Sequence, residues 1–285
     1  MSGPRESLED LRREIDRIDD AMHDLVMRRA EVAQRVRVVK GDGPAFRPAR
    51  EAQLLRRLMQ RHRGAMPGVA VARMWRELMA AMLGMQGNLT VAVAAGAEHP
   101  GVRDLARDHF GSHSAMNELA TPAQVVRAVA DGDALAGVLP LPRDGEAEPW
   151  WPGLAAIGRD NGQPRIVARL PFVAAGNARA EKPGALVLAR VEPEPTGSDR
   201  SLLVIETKGD MSRARLVDVL TRAELPPSFI IGAAAPGDQE SRLVLIEIEQ
   251  FVAADDARLG GLGAEARPIT RVTAIGAYAE PLTLA

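Results

Sequence analysis

The 285 residues contain no cysteine. That excludes disulfides, thiolate metal sites and a cysteine nucleophile. Aromatic residues make up only 3% of the chain, with a single tyrosine. Lysine is scarce: Lys40, Lys182 and Lys208 stand against arginine almost everywhere else. The 5 histidines are scattered, with no His-Glu-x-x-His or His-x-His pair, so neither a zinc site nor any cofactor is expected. No uncharged apolar run reaches the roughly 18 residues that suggest a membrane span. The N-terminal stretch, Met1 to Asp16, is charged from its start and lacks the apolar segment of a secretory signal. A cytoplasmic protein without membrane contact is the expectation.

What is present is a soluble, globular composition: 46% hydrophobic, 26% charged, net charge -2. The length suggests about two domains as a soft prior. The charge is uneven. Residues 1–88 hold 17 basic and 12 acidic side chains, net +5, and the remainder is net -7. A composition break therefore falls near Gly87-Asn88.

Before the break the apolar period is helical. Leu8, Leu11, Ile15, Ile18, Met22, Leu25, Val32 and Val36 recur at spacings of three, four or seven. Ser7 suits the N-cap, Asp10 adds acid to the first turn, and nothing interrupts until Gly41-Asp42-Gly43-Pro44. A helix over 7–40 is about 50 Å long, and such a length needs an equally long partner. Pro48 opens a second helix to about Arg63. A third is expected from Pro67 to Gln86, with Val71, Met74, Trp75, Leu78, Met82 and Met85 on one face. After the break the period changes. Strand 89–93, helix 99–110, helix 121–130 and strand 134–139 read as an α/β lobe. Residues 141–164 read as an irregular connector, in which Trp150-Trp151 pins a loop rather than stacking on a ligand. Strands are expected at 166–173 and 185–191. The tail, from about Leu202 to Tyr278, has the order βαββαβ of a ferredoxin-like unit. The expected segments are thus 1–88, 89–184 and 185–285.

Two cations sit where the long helix's apolar stripe should continue. Arg29 lies between Leu25 and Val32, and Lys40 follows Val36 by four. A buried cation is costly unless it meets an anion or is hydrogen-bonded. Two readings fit: an enclosed anionic ligand, or internal pairing with acids such as Glu51. Arg50-Glu51 alone reads as an ordinary surface pair. Gln86 alone reads as a helix-terminal amide.

Taken in order, these pieces resemble a family. Leu11-Arg12-x-x-Ile15-Asp16-x-Ile18-Asp19, then Arg29 with Val32-Ala33, then Lys40, then Arg47-Pro48-x-Arg50-Glu51-x-x-Leu54-Leu55, then a last helix ending at Gln86, resemble the all-helical chorismate mutases of the AroQ type over residues 7–87. The resemblance implies an intertwined homodimer in which the long helices pair, chorismate as substrate, and prephenate as product in aromatic amino acid biosynthesis. By position, Arg12 would enter the neighbouring chain's site. Arg29 would bind a substrate carboxylate, and Lys40 and Gln86 would face the ether oxygen of the breaking bond. Glu51 would accept the ring hydroxyl, with Arg50 beside it. Two positions depart. Arg47 stands where many members carry Asp, and could supply a replacement charge. Met82 stands where some carry Ser, which removes a hydrogen bond to a carboxylate.

The chemistry implied by that family suits these residue types. The rearrangement needs no nucleophile, metal or proton transfer. It needs a dianion held in a compact conformer and a cation at the oxygen where charge develops.

The second segment resembles part of a prephenate dehydratase domain, and the tail its ACT domain. The Thr-Arg-Phe motif that those enzymes use is not found; Gly184-Ala185-Leu186 stands near its place. No dehydratase activity is expected, and the region reads as a regulatory or assembly module. Two other functional readings are a catalytically weak regulatory protein that binds a chorismate-like or amino acid ligand, and nucleic-acid binding by the arginine-rich helices. Interspersed acids and few aromatics count against the last.

Overall fold

The computed structural model describes residues 7–41, 44–87, 89–157, 162–175, 183–209, 211–235, 238–265 and 268–283. Three helices come first: α1 (Leu8–Lys40), α2 (Pro48–Arg61) and α3 (Gly68–Gly84). Ser7 and Asp10 close a reciprocal capping box at the start of α1, which runs 33 residues and stops at Gly41, φ +59°. Pro48 occupies the first turn of α2, where its missing N–H costs nothing.

The apolar stripe of α1 is not covered within the chain. Leu11, Ile15, Ile18, Met22, Leu25, Val32 and Val36 are between 41% and 64% exposed. The buried face of α3 differs from the expected one. Ala72, Arg76, Met79, Ala80, Met82 and Leu83 are buried, whereas Met74 and Met85 lie open. The helix is rotated because α2, Phe172 and Ala279 pack on the side that carries Ala72 and Met79.

The α/β portion follows as β1 (Thr90–Ala94), α4 (Val102–Phe110), β2 (Ala115–Leu119), α5 (Pro122–Asp131), β3 (Ala136–Pro140), α6 (Trp151–Ile157), β4 (Arg165–Leu170) and β5 (Ala185–Ala189). Then come β6 (Asp199–Lys208), α7 (Arg213–Arg222), β7 (Pro227–Ala235), β8 (Asp238–Ile248), α8 (Ala257–Glu265) and β9 (Ile269–Ala279). The nine strands among the described residues join one sheet in the order β2-β1-β3-β5-β4-β9-β6-β8-β7. Its second part, β9-β6-β8-β7, is antiparallel and has the ferredoxin-like order that the βαββαβ pattern implies. The two parts meet where β4 pairs with β9 at Ile166 and Gly276. A Cβ on Gly276, φ +151°, would lie 2.2 Å from the Ile166 carbonyl oxygen, so only glycine permits the join.

Three local expectations change. The expected boundary at 184/185 puts β5 in the third segment, but its hydrogen bonds tie it to β3 and β4. The connector 141–164 contains α6, because Trp151, Leu154 and Ala155 bury one face of a short helix. Trp150 is also buried and donates Nε1 to the Pro140 carbonyl at 3.2 Å. Strand β4 stops at Leu170, before Pro171, rather than at Val173. Phe172 then leaves the sheet and packs against α2 and α3.

The helical segment and the α/β portion share packed surface. Phe46, 1% exposed, lies against Phe110 of α4 with ring centroids 5.6 Å apart. Helix α2 is tied by arginines. Arg47 Nη2 donates to both carboxylate oxygens of Glu194, at 2.9 and 2.7 Å. Arg56 donates to the Ser198 and Glu280 carbonyls at 2.7 and 2.9 Å.

Candidate active site of the helical segment

The expected site residues fall into three groups. The first is Arg29, half-buried on α1, whose Nη1 meets the Met82 sulfur of α3. Burial lowers the Arg29 pKa from its ordinary value, though the group stays a cation at neutral pH. One turn past Met82, Gln86 sits in the turn that ends α3, its N–H on the Leu83 carbonyl at 3.0 Å. Arg37 of α1 donates Nη1 to the Met85 carbonyl at 3.4 Å. That contact brings the last turn of α1 to the last turn of α3. Lys40 ends α1 there; its side chain lies outside the described residues.

The second group is Glu51. It faces α3, where Arg76 Nη1 donates to its Oε2 at 2.7 Å. The pair is largely enclosed, with side-chain exposures of 17% for Glu51 and 8% for Arg76. Burial raises the Glu51 pKa above the ordinary carboxylate range, while the charge and hydrogen bond of Arg76 oppose that rise. Burial likewise lowers the Arg76 pKa against the pull of Glu51. Arg76 also lies 5.5 Å from the Phe172 ring centroid, a cation–π contact with the α/β portion. Beside it His109 is buried, with Nε2 unpartnered and a pKa held well below 6.5, by burial first and by the Arg76 charge second.

The third group points elsewhere. Arg50 is exposed. Arg47 is committed to Glu194. Arg12 is exposed near the other end of α1, 17 residues before Arg29, or about 25 Å along a helix. No side chain spans that distance, so Arg12 and Arg29 of one chain cannot share a ligand.

The sequence reading missed Arg76. A signal was available: Ala72, Met79, Ala80 and Leu83 stand at i−4, i+3, i+4 and i+7 from it. That spacing places an arginine at the centre of an apolar face. Among the described residues no cluster suits a metal, and no helix is long and apolar enough to cross a membrane.

The segment is thus one long helix and two shorter ones, with Arg29 and Arg37 of α1 against the end of α3. Residues 11–87 match the family model for chorismate mutase type II, and this segment is a type II chorismate mutase domain. The bifunctional chorismate mutase/prephenate dehydratase of Pseudomonas aeruginosa is 35% identical over 144 residues, 48% of this chain and 39% of that protein. The enzyme of the same description from Neisseria gonorrhoeae is 36% identical over 100 residues, 35% of this chain and 27% of that protein. The matched part of the chain thus spans less than half the length of these relatives. A solved prephenate dehydratase from Arthrobacter aurescens, in complex with L-Phe, overlaps 69% of this chain and 93% of its own at a TM-score of 0.48 and 14% identity.

Proposed function

We propose that the chain isomerises chorismate to prephenate at the α1–α3 end of the helical domain, as a homodimer. The observation that carries this reading is the Arg37–Met85 contact, which sets the end of α1 bearing Lys40 against the turn bearing Gln86, one turn beyond Arg29 on Met82.

Each residue type has a physical task there. Arg29 and the partner copy's equivalent of Arg12 clamp the two carboxylates and hold the reacting carbons close. The ether oxygen gains negative charge as its bond stretches. Lys40 stabilises that charge, and Gln86 adds a neutral donor. The resemblance gives Glu51 the ring hydroxyl, and its Oε2 sits on Arg76 of α3, ten residues or about 15 Å of helix before Gln86, so that role needs the substrate to extend from the α1–α3 end toward α2. The 25 Å between Arg12 and Arg29 requires a second chain, and the open apolar stripe of α1 supplies the surface for it. Arg47 acts as a tether to Glu194 rather than as a replacement charge, and Arg50 is exposed beside Glu51. The implied setting is aromatic amino acid biosynthesis in the cytoplasm.

The α/β portion is read as a regulatory or assembly module without dehydratase activity. Gly184, Ala185 and Leu186 offer neither a hydroxyl nor a guanidinium where the Thr-Arg-Phe motif is expected, and Ala185 and Leu186 are buried in β5. A second reading, a weak catalyst acting mainly as a binding protein, is favoured by one observation: the Met82 thioether meets Arg29, where the resemblance implies a hydroxyl.

The test follows the loss of chorismate absorbance with purified protein, then with Lys40→Ala. The expected fall is about 10²–10³ in rate. A wild-type rate at background supports the binding protein instead. Equal rates for both proteins remove Lys40 from the site. Prephenate is added separately, and appearance of phenylpyruvate overturns the absence of dehydratase activity.

A further inference from the structure

Arg76 is buried on the face of α3 that carries Ala72, Met79, Ala80 and Leu83. Two contacts hold it there. One is the 2.7 Å bond from its Nη1 to Glu51 of α2. The other is the Phe172 ring, whose centroid lies 5.5 Å from its guanidinium carbon. Phe172 belongs to the α/β portion, in the segment between β4 and β5, and it is itself fixed. Its ring is buried in one cluster with Ala52 and Leu55 of α2 and Ala72 and Met79 of α3. Its carbonyl accepts the Leu282 N–H at 2.7 Å. A long arginine side chain has many rotamers in isolation, and a stacked ring together with an ion pair restricts them. The space beside Arg76, His109 and Phe172 is only about 30 Å³, room for a water or two but not for a substrate. Arg76 therefore acts on Glu51.

The electrostatics give that contact a specific task. Burial pushes the Glu51 pKa up, and both influences that pull it down, a charge and a hydrogen bond, come from Arg76. The other charged or titratable groups around the pair are engaged elsewhere or neutral. Arg56 of α2 lies 6.0 Å from the centroid of the same Phe172 ring. Arg73 of α3 donates to Asp108 of α4 at 3.3 Å. Arg29 of α1 meets Met82, six residues further along α3. Arg50, next to Glu51, is exposed. His109 of α4 has its pKa held well below 6.5, by burial first and by the Arg76 charge second, so it is neutral from pH 6.5 upward.

We propose that Arg76 is a positioning residue for the mutase reaction, and that Phe172 of the α/β portion holds it on Glu51. The ring hydroxyl of the substrate then meets an ionised, oriented carboxylate. The α/β portion thereby contributes to the chemistry of the helical domain within the same chain. This rests on the role given above to Glu51.

Initial mutase rates of the full chain from pH 6.5 to 8.5 test the assignment, with folding checked by circular dichroism. Arg76→Gln removes both influences that oppose burial, so Glu51 ionises only at higher pH. Its rate at pH 6.5 falls at least about tenfold. Relative to wild type, it recovers as pH rises. Phe172→Leu changes in the same direction, at least about threefold, whereas Phe172→Tyr keeps the ring and stays within about twofold of wild type. Glu51→Gln/Arg76→Gln has no carboxyl to titrate and loses the recovery. A merely structural role lowers the rate by one factor at every pH. The proposal is overturned if folded Arg76→Gln matches wild type, if its deficit is the same at each pH, or if the double variant keeps the recovery. Should Arg76→Gln not fold, a wild-type rate and profile in Phe172→Leu overturn it. A wild-type rate at background overturns the isomerase reading, and this role with it; an active wild type matched by Arg76→Gln overturns this role alone.

Discussion

Arg76→Met leaves the Glu51 carboxylate enclosed without its counterion. The pair is 2.7 Å apart, with side-chain exposures of 17% and 8%. At charge centres roughly 4 Å apart and an effective dielectric of about 20, the lost attraction is about 4 kcal/mol. The carboxylate has an escape, because it can take up a proton. From the ordinary value of 4.5, that costs at most about 3.4 kcal/mol at pH 7, at 1.36 kcal/mol per pH unit. At pH 5 the same ceiling is about 0.7 kcal/mol. The sign is consistent: a carboxyl whose folded pKa is raised adds stability at low pH and loses it as pH rises from 4.5 through that raised value. Loss of the Phe172 contact adds about 0.5–2 kcal/mol that does not vary with pH. Urea unfolding followed by tryptophan fluorescence at both pH values measures the difference. Arg76→Met should lose about 3–5 kcal/mol at pH 7 and 2–3 kcal/mol less than that at pH 5. Glu51→Leu/Arg76→Met should return to within about 1 kcal/mol of wild type, since a buried pair replaced whole by apolar groups costs little. An equal loss at both pH values, or a double variant no better than the single, refutes this account.

Mixing Arg12→Ala with Lys40→Ala, each inactive alone, should restore about a quarter of wild-type mutase activity after subunit exchange, because half the dimers are then mixed with one intact site each. Continued inactivity of the mixture excludes sites shared between chains. Ile18→Glu on the open stripe of α1 should shift the size-exclusion peak to the monomer and abolish activity; an unchanged dimer moves the interface elsewhere. His109 has a folded pKa well below 6.5, so the unfolded chain binds more protons and stability falls as pH drops below about 6.5. Urea midpoints from pH 7.5 to 5.5 should flatten in His109→Leu, and an unaltered slope removes His109 as its source.

Much of this architecture is legible in the residues because it is local. The period of three and four along α1, Ser7 and Asp10 at its start and Gly41 at its end specify a helix by short-range hydrogen bonding alone. The same holds for Thr121 and Gln124, which form the capping box of α5. Reading α3 went wrong by a rotation. Met74, Leu78 and Met82 make as good a stripe as Ala72, Met79 and Leu83 in a helix apolar nearly all round, and only the arrival of α2 and Phe172 chooses between them. The partners of β5 are likewise not legible, since a buried run such as Ala185 to Ala189 carries no mark of which strands will flank it.

By itself the sequence determined the three-helix segment, the βαββαβ tail and the residue types of the candidate active site, because each is written in spacing along one chain. Tertiary structure alone decided that Glu51 meets Arg76, that Arg47 leaves for Glu194, and that Arg169, Arg200, Glu247 and Tyr278 enclose one cavity. Those pairs are 25, 147 and up to 109 residues apart. Contacts at such separations depend on how whole elements pack, and no local rule of helix or strand formation records them.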